Sequence, residues 1–392
     1  MPRGNSRVVI VCPLLPYPPT GGGVKRTLRL IEMIDRAGGR PHIMTTDRGA
    51  PGAADELRSR DWTVDVLDER PQPLRARVRQ HIDRRPSPTL KTVKQRLREV
   101  APDSAFVQFE ATQSAYYFEE VAGRPVVLST QNVDSEMLAS VAHASPPFSV
   151  RRLRFTNRWL SMRSVERRAV PRADLVLCVS DRDRRYYERF GSRVLKVPNG
   201  VDDEFFAVDP ELPDSEDVLF VGQLDYQPNE LGLRRFLREG WPLLAKARPR
   251  ARLLVAGKGM SRTVAEEARV AERVVPLGFV HDLAQLHERC RLVIVPLWQG
   301  GGTRLKVLEA LAAARPIVGT TLGVEGVGFK SGRHGLVADE PGKLASLAET
   351  LLGDPRRSAE LARTGRELAS GYRWDRVTEP AERLYREWLA RS

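Results

Sequence analysis

The run Gly300-Gly301-Gly302-Thr303-Arg304-Leu305-Lys306, with Glu309 beyond it, concentrates more potential chemistry than any other part of the chain. Ahead of it, Leu292-Val293-Ile294-Val295-Pro296 has the composition of a buried strand. Gln299 to Thr303 offers too few side chains to pack, and from Arg304 the positions Leu305, Leu308, Leu311 and Ala312 repeat at helical spacing. A glycine loop between strand and helix exposes backbone N–H groups beside the positive end of a helix dipole, which suits a diphosphate. Arg304 and Lys306 fall in the first turn, where the dipole disfavours cations, so an anion is expected between them. Glu309, one turn past Lys306, can accept hydrogen bonds from a vicinal diol such as ribose. An ordinary strand-loop-helix turn with capping and surface charge is the competing reading. The run is neither a P-loop nor a dinucleotide fingerprint, because the required spacings are absent.

Three other motifs compete for attention. Asp181-Arg182-Asp183 has the form of a metal-binding Asp-x-Asp, but Ser180 ends a strand and precedes a helix. Ser180 with Asp183 therefore reads as a capping box. Gly257-Lys258-Gly259 follows a strand, and a phosphate contact or a tight turn explains it equally. The six histidines, including His281 and His287, lack the paired spacing of a zinc site on one helix, so no metal is expected.

The elements that must position these residues alternate short β-type runs with longer helical patterns, as in parallel α/β sheets. In the first half the strands are expected at Arg7–Val11, Arg40–Met44, Thr63–Val66, Phe106–Phe109, Pro125–Ser129, Leu175–Val179 and Val194–Val197. A helix is expected from Val24 to Ala37, ended by Gly38-Gly39. Pro71 to Pro88 reads as a loop or a loosely held helix. The acidic, proline-bearing stretch Val208 to Asp217 reads as an interdomain linker. The pattern then restarts, with strands at Val218–Val221, Arg252–Ala256, Arg273–Pro276, Leu292–Val295, Pro316–Gly319 and Gly335–Ala338. A last amphipathic helix covers Trp374 to Leu389. Two doubly wound domains facing each other across a cleft are expected, in keeping with 392 residues.

Composition narrows the class. Hydrophobic residues make up 41% and charged residues 29%, as in globular rather than disordered chains. Cys12, Cys178 and Cys290 lie far apart in apolar runs and read as buried thiols in a reducing compartment. Val8 to Cys12 is too short for a signal peptide or a membrane span, so a cytoplasmic protein is expected. The net charge of +13 gathers in two clusters, Arg70 to Arg98 and Arg151 to Arg168. Such clusters suit nucleic acid, anionic lipid headgroups or phosphorylated substrates, or form a plain solvated face. Nucleic acid ranks low, since no recognition-helix motif or aromatic-basic stacking surface accompanies the charge.

The segment Gly300-Gly-Gly-Thr-Arg-Leu-Lys-Val-Leu-Glu-Ala-Leu-Ala-Ala-Ala-Arg-Pro-Ile-Val-Gly-Thr320, followed by Gly323-Val-Glu-Gly326, resembles the donor site of glycosyltransferase family 4, retaining enzymes of the GT-B fold. The resemblance extends to Val197-Pro-Asn-Gly-Val-Asp202, Phe220-Val-Gly-Gln-Leu-Asp-Tyr-Gln-Pro-Asn229, Pro276-Leu-Gly-Phe-Val-His-Asp282 and Tyr372-Arg-Trp-Asp375. It is looser in the first half, at Thr20-Gly-Gly-Gly23 and Leu128-Ser-Thr-Gln-Asn-Val-Asp134. The ordered set implies two Rossmann-like domains: residues 1–205 for the acceptor, 206–371 for the nucleotide sugar. It implies a helix over 372–392 that crosses back to the first domain.

The resemblance also implies roles. Arg304 and Lys306 would neutralise the leaving diphosphate, Glu309 would bind the ribose, and Gly300, Gly301, Gly302 and Thr303 would meet sugar and phosphates. Gly22 and Gly23 would reach the diphosphate, and the loop around Phe279-Val280 would border the nucleobase. Gln131 stands where a histidine commonly contacts the donor sugar, and Gly301 stands where the family's first glutamate falls. The family's arginine and lysine early in the second domain are replaced at Gln223 and around Pro228-Asn229, and Arg304 with Lys306 can substitute. Glu110 and Asp134 are acceptor-side candidates, with loop hydrogen bonding as the alternative.

The expected reaction is metal-independent transfer from a UDP-, GDP- or dTDP-sugar to a hydroxyl, through an oxocarbenium-like state, with no further cofactor. The acceptor belongs to cell-surface glycan or glycolipid synthesis, where it is lipid-linked or phosphorylated, or to natural-product synthesis. A peripheral place on an anionic inner membrane face would use the basic clusters. A degenerate, noncatalytic sugar-nucleotide binder is the remaining alternative.

Overall fold

The computed structural model describes residues 6–47, 49–67, 88–121, 123–300 and 304–392. The chain forms two compact units, one of residues 1–198 with Thr378–Ser392, the other Asn199–Val377. The units part at Pro198, ahead of the junction expected after residue 205.

In the first unit β1 (Arg7–Cys12), β2 (Arg40–Thr45), β3 (Thr63–Val66), β4 (Ser104–Glu110), β5 (Val126–Ser129), β6 (Leu175–Cys178) and β7 (Val194–Lys196) make one sheet. Its order is β3-β2-β1-β4-β5-β6-β7, and every pairing is parallel. The central strands are buried on both faces, which is why they read as continuous apolar runs rather than alternating ones. The Gly22–Arg36 helix links β1 to β2 and ends where Gly38 takes φ +96°, a turn that favours glycine.

The last helix, Trp374–Leu389, sends its C-terminal half into this unit's core. Phe106 of β4 meets the Tyr385 ring at 4.7 Å and the Trp388 ring at 5.5 Å, both edge-on.

In the second unit β8 (Asp217–Val221), β9 (Arg252–Ala256), β10 (Val274–Gly278), β11 (Leu292–Val295), β12 (Ile317–Gly319) and β13 (Leu336–Val337) follow the order β10-β9-β8-β11-β12-β13. Successive strands run outward from β8 on one side and from β11 on the other, so the order reverses between these two neighbours. In parallel α/β sheets that reversal opens a crevice at the carboxyl ends of the strands.

The stretch expected to be a linker belongs instead to the second unit. Arg315 donates to the carbonyls of Asp209 (2.8 Å) and Glu211 (3.1 Å), and Arg291 to that of Pro213 (2.8 Å). These arginines satisfy carbonyls of a segment with no secondary structure and fasten it down.

Candidate active site

The crevice of the second unit is built on glycines where backbone must approach backbone. Gly222 follows β8, and its N–H donates to the Ala256 carbonyl at 3.0 Å. A Cβ on Gly257 would lie 1.8 Å from the Gly222 carbonyl oxygen, so the loops after β8 and β9 touch main chain to main chain. Gly257-Lys258-Gly259 is thus a packing turn, with Gly259 at φ +76° and the Lys258 carbonyl accepting from Leu224 N–H.

The Leu305–Ala312 helix enters this crevice from β11, and the Gln227–Glu239 helix from β8. Lys306 Nζ donates to Asn229 Oδ1 at 2.8 Å and lies 5.3 Å from the centre of the Phe220 ring. Asn229 is buried, and its Nδ2 donates to the Gln223 carbonyl at 2.8 Å, which fixes which way the amide faces. A Cβ on Gly222 would come within 2.9 Å of Lys306 Nζ, so glycine leaves the room this lysine occupies. Burial, and then the charge of Arg304, pull the Lys306 pKa down to about 7 against the opposing influence of Glu309.

Arg304 is buried at the N-cap of its helix and donates from Nε to the Leu322 carbonyl at 3.4 Å; burial lowers its pKa. Glu309 is buried on the next turn. Gly300 takes φ +105°, and a Cβ there would meet Pro228 at 3.2 Å. The structure therefore gathers Gly300, Arg304, Lys306 and Glu309 on one strand-loop-helix, while Gly301, Gly302 and Thr303 lie outside the described residues. Val280 follows β10, at the far edge of the sheet from β11, beside the exposed Phe279.

The first unit assembles its own candidates at the carboxyl edge of its sheet. Gln131, after β5, donates from Nε2 to the Gly23 carbonyl at 3.2 Å, and a Cβ on Gly23 would displace that side chain. Gly22, Gly23 and Gln131 are thereby brought together at the start of the Gly22–Arg36 helix. Glu110, the last residue of β4, is almost wholly buried. Its carboxylate accepts from Gln108 Nε2 (2.6 Å) and Thr27 Oγ1 (3.2 Å), and burial raises its pKa despite nearby Arg26. Asp134 starts the Asp134–Ala144 helix, half-buried, with its pKa pushed up to about 6 by burial. Ser180 Oγ accepts from Asp183 N–H at 3.1 Å, the capping arrangement expected there.

Sequence reasoning gave no role to Asn229, Gly222, Gln108 or Tyr385. The glycine that follows β8, in Val221-Gly222-Gln223, is the available signal for the first two. Nothing local marks Gln108, which becomes significant only because Tyr385 reaches it.

The chain matches two family models: "Glycosyltransferase Family 4" over residues 20–205 and "Glycosyl transferases group 1" over residues 215–354. It is 29% identical over 220 residues to a phosphatidyl-myo-inositol mannosyltransferase of Mycolicibacterium smegmatis, covering 53% of this chain and 56% of that protein. The chain spans about half or less of the length of the curated relatives it matches. Its fold is similar to that of a sucrose-phosphate synthase from Thermosynechococcus elongatus, with a TM-score of 0.71, 17% identity and coverage of 99% and 100% of the two chains. It is also similar to Anabaena HepE in complex with UDP and glucose, with a TM-score of 0.69, 17% identity and coverage of 97% and 99%.

Proposed function

We propose that this chain, which matches models of glycosyltransferase family 4 and of group 1 glycosyl transferases and has the GT-B fold, transfers a sugar from a nucleoside-diphosphate sugar to an acceptor hydroxyl. The observation that carries this reading is the Lys306 ammonium, held by Asn229 at the reversal point of the second sheet. With the Arg304 guanidinium on the same turn, it supplies positive charge where a departing diphosphate would develop negative charge. That pair fills the part a divalent cation plays elsewhere, so the transfer is metal-independent and a chelator leaves its rate unchanged.

In this reading Glu309 accepts from the ribose hydroxyls, and the backbone of Gly300 to Thr303 lies along the sugar and phosphates. Gln131, Gly22 and Gly23, brought together on the first unit, keep the donor-contacting roles that the family resemblance implies, and Val280 borders the base. The acceptor proton passes to the leaving phosphate, with retention at the anomeric carbon. Asp134, half-buried with a raised pKa, is the better acceptor-side carboxylate. Glu110 is the weaker one, because its oxygens are already engaged by Gln108 and Thr27. The similarity to a phosphatidyl-myo-inositol mannosyltransferase supports a lipid-borne acceptor in envelope glycan or glycolipid synthesis. Three free, buried cysteines support a cytoplasmic setting.

Thermal denaturation with UDP, GDP and dTDP tests the donor site. At least one raises the melting temperature, and Lys306→Ala and Glu309→Ala each shrink the rise. If none of the three shifts the transition, the donor site is misassigned. Mass spectrometry of a sugar-nucleotide hydrolysis panel then identifies the sugar.

A further inference from the structure

The helix Val150–Ala169 carries seven arginines and a single acid, Glu166. That acid faces inward. Glu166 is buried and accepts from the Ser135 backbone N–H at 3.0 Å and the Tyr186 hydroxyl at 2.7 Å. Val165 and Ala169 complete the face turned to the core.

Three apolar side chains of this helix stand in water. Val150 is 83% exposed, Leu153 65% and Leu160 52%, and the seven-residue spacing of the two leucines puts them on one side of the helix. Phe148, just ahead, is fully exposed and sits at φ +60°, a region bulky residues rarely occupy. Both the strained backbone and the bare ring cost free energy in water. Four large apolar side chains exposed within one short stretch mark an interaction site rather than scattered surface hydrophobes.

Arginines rim this face. Arg154 and Arg163 are exposed, and among the described residues neither forms an ion pair with a carboxylate. Arg163 lies 5.9 Å from the Trp159 ring, so its stem runs along the helix. Of the other basic cluster, residues 70–87 lie outside the described residues, and the described part differs: Lys94 and Arg98 are both paired with Glu120, and Arg96 with Asp65 and Glu99.

We propose that Phe148, Val150, Leu153 and Leu160, rimmed by Arg154 and Arg163, form a docking surface for an anionic lipid bilayer. The arginines meet headgroup phosphates while the apolar side chains enter the acyl boundary, each gaining what water denies it. A nucleic acid would reward the arginines but not the aliphatic side chains, which neither stack on bases nor read their edges. No helix among the described residues is long and apolar enough to cross a membrane, so this one lies in the plane of the interface. The proposal deepens the reading of a lipid-borne acceptor, yet its test does not depend on catalysis.

The full chain is floated with phosphatidylcholine vesicles, with or without about 30 mol% phosphatidylglycerol. It binds the anionic vesicles and not the neutral ones, and the binding weakens as salt is raised. Arg154→Glu with Arg163→Glu lowers the partition coefficient about tenfold or more. Leu153→Ser with Leu160→Ser abolishes the part that survives high salt, and blue-shifted Trp159 fluorescence on binding is lost with it. Both double variants keep the wild-type melting temperature and its shift with nucleoside diphosphate, which separates this surface from the donor site. Equal binding to neutral vesicles, unchanged binding by either variant, or a preference for an added single-stranded oligonucleotide over the vesicles would each overturn the proposal.

Discussion

Lys306 donates to Asn229 at 2.8 Å across the carboxyl ends of β8 and β11, joining the starts of two helices that are distant in sequence. The amide's other end is held by the Gln223 carbonyl, so Asn229 presents an oxygen, not a donor, to the lysine. The ammonium is aimed before any anion arrives. Asn229→Ala removes the aim without removing the charge, and nucleoside diphosphate affinity drops about tenfold. Gly222→Ala gives a similar loss by crowding Nζ. Isothermal titration with the diphosphate that shifts the melting curve measures both, and unaltered affinity in both variants would refute the pairing's role.

The same lysine makes binding depend on pH. Its pKa of about 7 in the unliganded protein rises when a diphosphate settles beside it. Between those two values the complex holds more protons than its parts. Proton uptake therefore accompanies binding above pH 7, and affinity falls as pH rises further. Titration in two buffers of different ionisation enthalpy detects the uptake, which Lys306→Arg eliminates.

For stability the sign is separate. Lys306 is lowered from 10.5 in the folded chain, so the unfolded chain binds the extra proton between about 7 and 10.5. Its penalty is full below pH 7 and fades as pH rises. Lys306→Met is accordingly more stable than the parent at pH 6, and the gap narrows toward pH 10 in urea denaturation.

Tyr385 donates to Gln108 Oε1 at 2.6 Å, and Gln108 donates onward to Glu110, so the final helix is tied to the end of β4 by a buried chain of hydrogen bonds. Tyr385→Phe leaves the Gln108 oxygen buried without this donor and costs about 1–3 kcal/mol. Urea unfolding of the full chain reads the loss. A change within error would mean that another group satisfies Gln108.

Asp134 works in the opposite sense to an ion-paired acid. Its folded pKa of about 6 lies above the ordinary 3.8, so the folded chain holds the proton longer and stability falls as pH rises through that interval. Asp134→Asn is more stable by about 1 kcal/mol at pH 7, and the gain disappears near pH 4. Equal stability at both pH values would show that the carboxyl is not strained by burial.

The sequence by itself determined the alternation of strands and helices, the strand-glycine-helix at Gly300 to Glu309, the capping by Ser180 and the last helix at Trp374–Leu389. These rest on local causes: apolar periodicity, glycine and capping chemistry act within a few residues and are legible there. Tertiary structure alone decided what depends on groups far apart in the chain. It gave Lys306 its partner in Asn229 and tied Glu110 to Gln108 and Thr27. It fastened residues 209–213 to the second unit with Arg291 and Arg315, where the acidic, proline-bearing composition reads as a free linker. It also separated the described parts of two basic clusters that look alike as text, pairing Lys94 and Arg98 with Glu120 and leaving Arg154 and Arg163 facing solvent beside bare leucines. Charge is written in the sequence, but whether a carboxylate stands within reach of it is a property of the fold.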